Sequence, residues 1–177
     1  MTDRVETERL TLVLATMQDV DRMTELDTDP AVMRYINGGH PTPRSDVERR
    51  IRQTDGYLYI ALDRASGEFV GWFSIRRTAP GERELGYRLR RASWGHGLAT
   101  EGSRALVEVA FADPDVHRVW AQTMTVNDGS RGVMERCGLT YVRTFVLEWA
   151  EGPIDGSEHG DVEYELLRDE WLRRVAS

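Results

Sequence analysis

Three strand-like segments follow one another in the middle of the chain, at residues 57–62, 68–75 and 84–89. They are separated by residues 64–67 and 79–81, which contain the Gly, Ser and Pro residues typical of hairpin connections. The pattern predicts an antiparallel meander of three strands, and the flanking segments must pack against or extend this sheet.

The flanking segments predict further strands and helices. Before the meander come a strand at 9–15 and helices at 17–26, from Pro30, and at 43–53. After it come a helix at 98–110, a strand at 117–125, a helix at 129–136, and strands at 139–149 and 162–167. Because strands and helices interleave and no repeat or linker divides the 177 residues, we expect one α+β (mixed α/β) domain over residues 1–177.

Composition excludes several classes of chemistry. All 23 cationic residues are Arg, so Schiff-base, pyridoxal-type and P-loop lysine chemistry have no candidate residue. One Cys (Cys137) and four scattered His argue against a disulfide and a metal site. The absence of a long apolar run predicts a cytoplasmic protein with no membrane partner. Residues 148–177 hold nine acids against three Arg, which disfavours nucleic acid and favours a cationic partner.

The sequence Trp94-Gly-His-Gly-Leu-Ala-Thr100 lies at a passage from strand to helix. Glycines there allow an anion to approach free backbone N–H groups at the positive end of the helix, so the segment predicts a phosphate site. Arg88, Arg90 and Arg91 precede it and would add charge. The alternative is a plain tight turn beside a solvated Arg cluster. A dinucleotide fold is rejected, because Thr100 occupies the third glycine position and a meander precedes the turn.

Several segments, in their order and spacing, resemble the GNAT acyltransferases over nearly the whole chain, and within them the RimJ/RimL-type group of ribosomal-protein and small-amine N-acetyltransferases. The segments that carry the resemblance are Glu6-Thr-Glu-Arg-Leu10, Asp29-Pro-Ala-Val-Met-Arg-Tyr35, Glu84-Leu-Gly-Tyr87, Trp94-Gly-His-Gly-Leu-Ala-Thr-Glu101, Asn127 to Ser130, Arg136-Cys-Gly-Leu139 and Asp161-Val-Glu-Tyr-Glu-Leu166.

The resemblance implies a twisted, mostly antiparallel sheet of about seven strands with flanking helices, in which the fourth strand (84–89) splays from the fifth (117–125). Acetyl-CoA would lie in this V and no metal would be needed. Its pantetheine would pair with main chain at Tyr87, Arg88 and Leu89, and its pyrophosphate would bind the amides of Gly95, His96, Gly97, Leu98, Ala99 and Thr100. Trp94 replaces the polar first position of the family pattern, so Arg90 or Arg91 would supply one phosphate contact.

By the same resemblance, Asn127 faces the pantetheine arm and Ser130 lies near the thioester. Both residue types are also ordinary helix caps and are expected there without a ligand. The Tyr acid of many family members is replaced by Met134. A thiol with a pKa of about 8.5 can leave as the thiolate near neutral pH, so the reaction tolerates the loss of the Tyr acid. We expect Ser130 to donate or relay a proton to sulfur.

A Lys-like amine, with a pKa of about 10.4, needs a base, whereas an α-amine at about 7.7–8.0 barely does. Two bases are predicted: Glu148, which by the resemblance stands where RimL-type enzymes carry a carboxylate proposed as base, and Glu84, which opens the strand beside the implied cofactor cleft. The alternatives are a strand-surface charge at Glu84, a rim charge at Glu148, and water or another acid as base. His159 is a weaker candidate on the acceptor side.

The sequence therefore predicts an acetyl-CoA-dependent N-acetyltransferase. It would act on a primary amine, either a protein N-terminus or a small molecule, by direct attack in a ternary complex. Two alternatives stay open: a non-catalytic acetyl-CoA-binding module, favoured by Met134, and an interaction domain or homodimer built through residues 139–167.

Overall fold

The computed structural model describes residues 2–147 and 152–176. In these ranges the strands are β1 (Arg4–Glu6), β2 (Leu10–Leu14), β3 (Leu58–Asp63), β4 (Phe69–Ala79), β5 (Glu82–Leu89), β6 (Arg118–Met124), β7 (Thr140–Phe145) and β8 (Asp161–Leu167). The helices are α1 (Val20–Leu26), α2 (Pro30–Asn37), α3 (Arg44–Arg52), α4 (Leu98–Phe111), α5 (Asp128–Arg136) and α6 (Arg168–Val175). None of these helices combines the length and apolarity needed to cross a bilayer.

The eight strands form one sheet in the order β1-β2-β3-β4-β5-β6-β8-β7. Neighbouring strands in the described chain are antiparallel, except for β5 and β6, which are parallel. The predicted class, a mixed α/β fold around a mostly antiparallel sheet, is confirmed, and the predicted meander is β3-β4-β5. The sheet has one strand more than expected, because the three-residue β1 pairs with β2 at one edge.

Element bounds differ from the sequence prediction by a few residues at several places, and one helix was not predicted. The helix predicted at 17–26 begins as a 3-10 turn, Met17–Asp19, which Thr16 caps, and continues as α1. The strand predicted at 139–149 ends at Phe145, and its last two residues lie outside the described part of the chain. Helix α6 was not predicted; its Trp171 stacks on Phe111 with a centroid distance of 5.1 Å, which anchors the helix to the domain.

The sheet has a separate hydrophobic core on each face. Phe73, Leu106 and Tyr164 belong to the core beneath α4 and α5. Ile60 and Trp72 belong to the other core, beneath α1, α2 and α3. Strand residues alternate between the two faces, so one strand presents side chains to both helical layers.

Strands β5 and β6 separate soon after they meet. Only Glu82, Arg83 and Glu84 of β5 pair with β6, and the register of the two strands ends there. The backbone of β5 from Leu85 to Leu89 pairs with β4 on its other side and has no ladder with β6. This is the predicted V, and it opens at the carboxyl ends of both strands, next to the amino ends of α4 and α5.

Candidate active site

A cleft of about 1240 Å³ occupies the V between β5 and β6. It is lined from both helical layers, by Val32 and Tyr35 of α2 on one side and by Leu98 of α4 and Ser130 of α5 on the other. Pockets for a single small molecule usually measure about 300–1000 Å³. The cleft thus crosses the sheet and has room for two substrates.

The turn that leads into α4 leaves the amino end of this helix open. Gly95 and Gly97 have φ angles of 76° and 78°, in the left-handed region that favours glycine. Gly97 is the N-cap of α4, and no side chain of the described residues caps the helix there. The first backbone N–H groups, at Leu98, Ala99 and Thr100, have no partner within the helix and stand at its positive end. This arrangement fits a phosphate group.

Side chains from elsewhere hold this turn in place. Arg9 donates from Nη1 to the carbonyl of His96 at 2.8 Å and pairs with Glu101 of α4 at 2.7 Å. The indole Nε1 of Trp94 donates to the carbonyl of Leu89 at 2.9 Å, which ties the turn to the end of β5. The open helix end is therefore fixed relative to the strand that borders the cleft.

The predicted Arg cluster does not converge on the turn. Arg88 is only 9% exposed, and its Nη1 lies 2.5 Å from Oδ1 of the fully buried Asp27. Burial lowers the pKa of Arg88, and the carboxylate of Asp27 opposes that shift. Arg90 donates to the carbonyl of Phe69 at 3.0 Å, and Arg91 is exposed. Neither Arg90 nor Arg91 lines the cleft.

Arg136 is a second cation beside the open end of α4, in addition to Arg9. Its Nε donates to Oγ1 of Thr100 at 3.3 Å, and both residues line the cleft. The sequence analysis did not assign it a role, because the end of α5 meets the start of α4 only through the tertiary fold. Arg136 therefore adds a cation beside this turn that the sequence did not indicate.

Tyr87 and Ser130 form a hydroxyl pair across the cleft. The two hydroxyl oxygens lie 2.8 Å apart, and Tyr87 also donates to the Ser130 carbonyl at 3.1 Å. Burial raises the pKa of Tyr87, so its hydroxyl keeps its proton at neutral pH. Asn127 accepts from the Ser130 N–H at 3.2 Å and donates to Thr123 Oγ1 at 3.0 Å, and it therefore caps α5.

Two of the three predicted acceptor-side residues are described. Glu84 lies where β5 leaves β6 and lines the cleft, paired with Arg76 of β4. His159 pairs with Glu158 at 3.5 Å and does not line the cleft. Glu148 lies outside the described residues.

A further carboxylate, Asp161, lines the cleft and was missed as a site residue. It is 5% exposed, and its Oδ2 accepts no hydrogen bond from any donor in the described ranges. Burial raises the pKa of this carboxyl group. In the sequence it belonged to a segment typical of the family, and nothing there indicated that it would be buried without a partner.

The predicted residues that line the cleft are Glu84, Tyr87, Arg88, Leu89, Gly95, Gly97, Leu98, Ala99, Thr100, Asn127 and Ser130. The predicted residues that do not line it are Arg90, Arg91, His96 and His159. Within residues 2–147 and 152–176, no three His, Cys, Asp or Glu side chains come together in a geometry suited to a metal ion.

Comparison with known proteins gives one consistent result. The family model described as an acetyltransferase (GNAT) domain matches residues 9–140. The FsC-acetyl coenzyme A-N(2)-transacetylase of Aspergillus fumigatus is 33% identical over 186 aligned residues, which cover 96% of this chain and 78% of the relative.

Two solved structures share the fold. A GNAT-family acetyltransferase from Bacillus anthracis superposes with a TM-score of 0.78 at 21% identity, over 94% of this chain and 99% of that one. Spermidine N-acetyltransferase from Vibrio cholerae, solved in complex with CoA and spermine, superposes with a TM-score of 0.79 at 16% identity, over 93% and 98% of the two chains.

Proposed function

Since this chain belongs to the GNAT family of acetyltransferases and is an N-acetyltransferase, we propose that it transfers the acetyl group of acetyl-CoA to a primary amine by direct attack in a ternary complex. One observation carries the proposal: a single cleft joins the open amino end of α4 to both faces of the sheet. The chain's one cysteine, Cys137, is buried and does not line this cleft. Direct transfer between two bound substrates therefore agrees with the residues that surround them.

The donor substrate fits the α4 side of the cleft. The free N–H groups of Leu98 to Thr100 and the guanidinium of Arg136 would bind the pyrophosphate. The edge of β5 that faces the V near Tyr87 has no strand partner, so its N–H and C=O groups are available to the amides of the pantetheine arm. The acetyl thioester supplies the activated acyl group.

Ser130 would stabilise the departing thiolate. Tyr87 keeps its proton, and when its hydroxyl donates to Ser130 Oγ rather than to the Ser130 carbonyl, the Ser130 O–H is free to point at sulfur. A thiol pKa of about 8.5 makes a hydrogen bond sufficient for departure near neutral pH. In this mechanism Ser130 contacts the leaving group, and Tyr87 positions Ser130.

The acceptor class proposed is a primary amine on a protein N-terminus or a small molecule. In support, the Aspergillus relative is named for transfer to an N(2) nitrogen, and the Vibrio neighbour was solved with a polyamine. The RimJ/RimL-type subgroup remains part of this proposal and rests on the motifs of the sequence.

The first test combines acetyl-CoA binding by calorimetry with thiol release on N-terminal peptides, polyamines and aminoglycosides. We expect binding, and thiol release with one acceptor class. Binding without release on any amine would favour the non-catalytic module, and no binding would refute the proposed function.

A pair of glycine variants tests the phosphate site within the same assay. Gly97→Val should weaken acetyl-CoA binding at least tenfold, because a side chain would enter the turn over the free N–H groups. The matched control is Gly67→Val, since Gly67 has a φ of 74°, a Cβ added there would contact no atom within 4 Å, and the residue does not line the cleft. Both variants carry backbone strain of about 1–2 kcal/mol. Equal affinities for acetyl-CoA would refute the assignment of the turn.

A further inference from the structure

The position of Asp161 sets it apart from the other acids of its strand. It begins β8 and is paired on one side with Met124 of β6 and on the other with Phe145 of β7. The next residue, Val162, belongs to the core beneath α4 and α5. Since strand side chains alternate, Asp161 points to the opposite face, the side of α1, α2 and α3. It thus borders the cleft across the sheet from the open end of α4.

Among the residues that the structure describes, the other charged side chains that line the cleft have polar partners. Arg34 of α2 pairs with Asp155, Glu84 of β5 with Arg76, Arg88 of β5 with Asp27, and Asp128 of α5 with Arg131, while Arg136 of α5 donates to Thr100.

The charged groups on the elements next to Asp161 are also paired with one another. Glu163 and Glu165 follow it on β8; Arg118 of β6 pairs with both, and Arg143 of β7 pairs with Glu163. In the preceding turn, His159 pairs with Glu158. Asp161 is therefore the cleft-lining charged group whose buried oxygen accepts no hydrogen bond from the described chain.

We propose that the Asp161 carboxylate receives the acceptor amine, binding it as the ammonium ion and taking the proton that must leave before attack. This inference rests on the proposed function. A carboxylate already neutralised by an Arg, such as Glu84, attracts an ammonium ion weakly, whereas an unpaired carboxylate in a half-enclosed cleft attracts it strongly. The ammonium would supply the hydrogen bond that the buried oxygen lacks.

The proton and bond changes balance without a further reactant. The ammonium gives one proton to Asp161 and becomes a neutral amine. Its nitrogen forms a bond to the acetyl carbon, and the carbon–sulfur bond breaks to release the thiolate. The second proton lost from nitrogen passes to the thiolate, and Asp161 returns its proton to water. The raised pKa of Asp161 brings its basicity closer to neutral pH, where a general base is most useful.

The carboxylate also has a predictable effect on stability. The pKa of Asp161 is higher in the folded than in the unfolded protein. At pH values between the two pKa values, the folded state therefore binds more protons than the unfolded state, and the free energy of unfolding falls as the pH rises through this range. Asp161 therefore lowers the free energy of unfolding at neutral pH. A residue kept for structure would have the opposite effect.

The test compares Asp161→Asn with the wild type and with Glu163→Gln. For Asp161→Asn we expect unchanged affinity for acetyl-CoA, kcat/KM for a Lys-like amine lowered at least about 100-fold at pH 7, and a higher urea midpoint of unfolding. Its residual activity should rise about tenfold per pH unit as the amine deprotonates in solution. Glu163→Gln removes a partner of Arg118 and Arg143, so it should lower the urea midpoint and keep the wild-type pH profile.

Two results would overturn the inference alone: a pH profile of Asp161→Asn parallel to that of the wild type, or an unfolding midpoint below it. Absence of thiol release by the wild type with every amine would overturn the proposed function together with this inference. The two failures are therefore distinguishable, since the first is seen in the variant and the second in the wild type.

Discussion

Replacing Asp27 by Asn should destabilise the protein more than its small change in shape suggests. Asp27 is fully buried and binds two cations, Arg88 at 2.5 Å and Arg50 at 3.2 Å. Both guanidinium groups also lie over the ring of Trp72, at 5.1 and 5.4 Å from its centroid. The substitution removes the negative charge and leaves the two cations facing each other.

The magnitude follows from the burial of each cation. The Arg50 side chain is 31% exposed and recovers part of its hydration. Loss of Asp27 as its partner therefore lowers the free energy of unfolding only slightly. Arg88 is 9% exposed, and removing one member of a buried ion pair costs about 3–5 kcal/mol. With a urea m value of about 2 kcal/mol/M, a loss of about 4 kcal/mol lowers the unfolding midpoint by about 2 M.

Urea unfolding of four proteins tests this reasoning: the wild type, Asp27→Asn, Arg50→Gln as the matched control, and the double variant Asp27→Leu/Arg88→Met. Arg50→Gln should cost less than about 1 kcal/mol, since the Asp27–Arg88 pair remains. The double variant should recover most of the loss, because apolar groups replace both charges. A loss below about 1 kcal/mol in Asp27→Asn, or no recovery in the double variant, would refute the argument.

Two further predictions concern the hydroxyl pair and the buried thiol. Tyr87→Phe should lower turnover about tenfold, equivalent to about 1.4 kcal/mol, and Ser130→Ala at least as much, with acetyl-CoA affinity unchanged in both. Unchanged turnover in steady-state assays of either variant would remove that residue from the mechanism. Burial raises the pKa of Cys137 to about 11, so iodoacetamide should alkylate it far more slowly in the native protein than in concentrated urea. Rapid labelling of the native protein, followed by mass spectrometry, would contradict its burial.

Local patterns in the sequence were enough to predict the meander, the open helix end and the Asn127 cap of α5. Each depends on residues close together in the chain, such as Gly95 and Gly97 before α4 or Asn127 before α5. Strand β1 escaped prediction because three residues at a sheet edge carry too little periodicity. Helix α6 has a weak apolar pattern, and its stability depends on the contact of Trp171 with Phe111.

The parts of the site that the sequence did not predict depend on contacts between residues far apart in the chain. Arg88 lay in a cluster that pointed to phosphate, yet its guanidinium binds Asp27, which is 61 residues away. The bond between Tyr87 and Ser130 spans 43 residues, and no spacing rule links them. Asp161 stands out only once its burial and its lack of a partner are known.

The short parallel junction between β5 and β6 divides the sheet into two plates, one formed by β1 to β5 and the other by β6, β8 and β7. The ladder of β4 with β5 has eight residue pairs and that of β6 with β8 has seven, whereas the junction has three. Each plate is stiff, and a change in the width of the cleft breaks few backbone hydrogen bonds. A molecule that contacts both plates holds them at a fixed separation, so occupancy of the cleft should slow hydrogen exchange at Glu82 and Arg83 and at their β6 partners, which do not line the cleft.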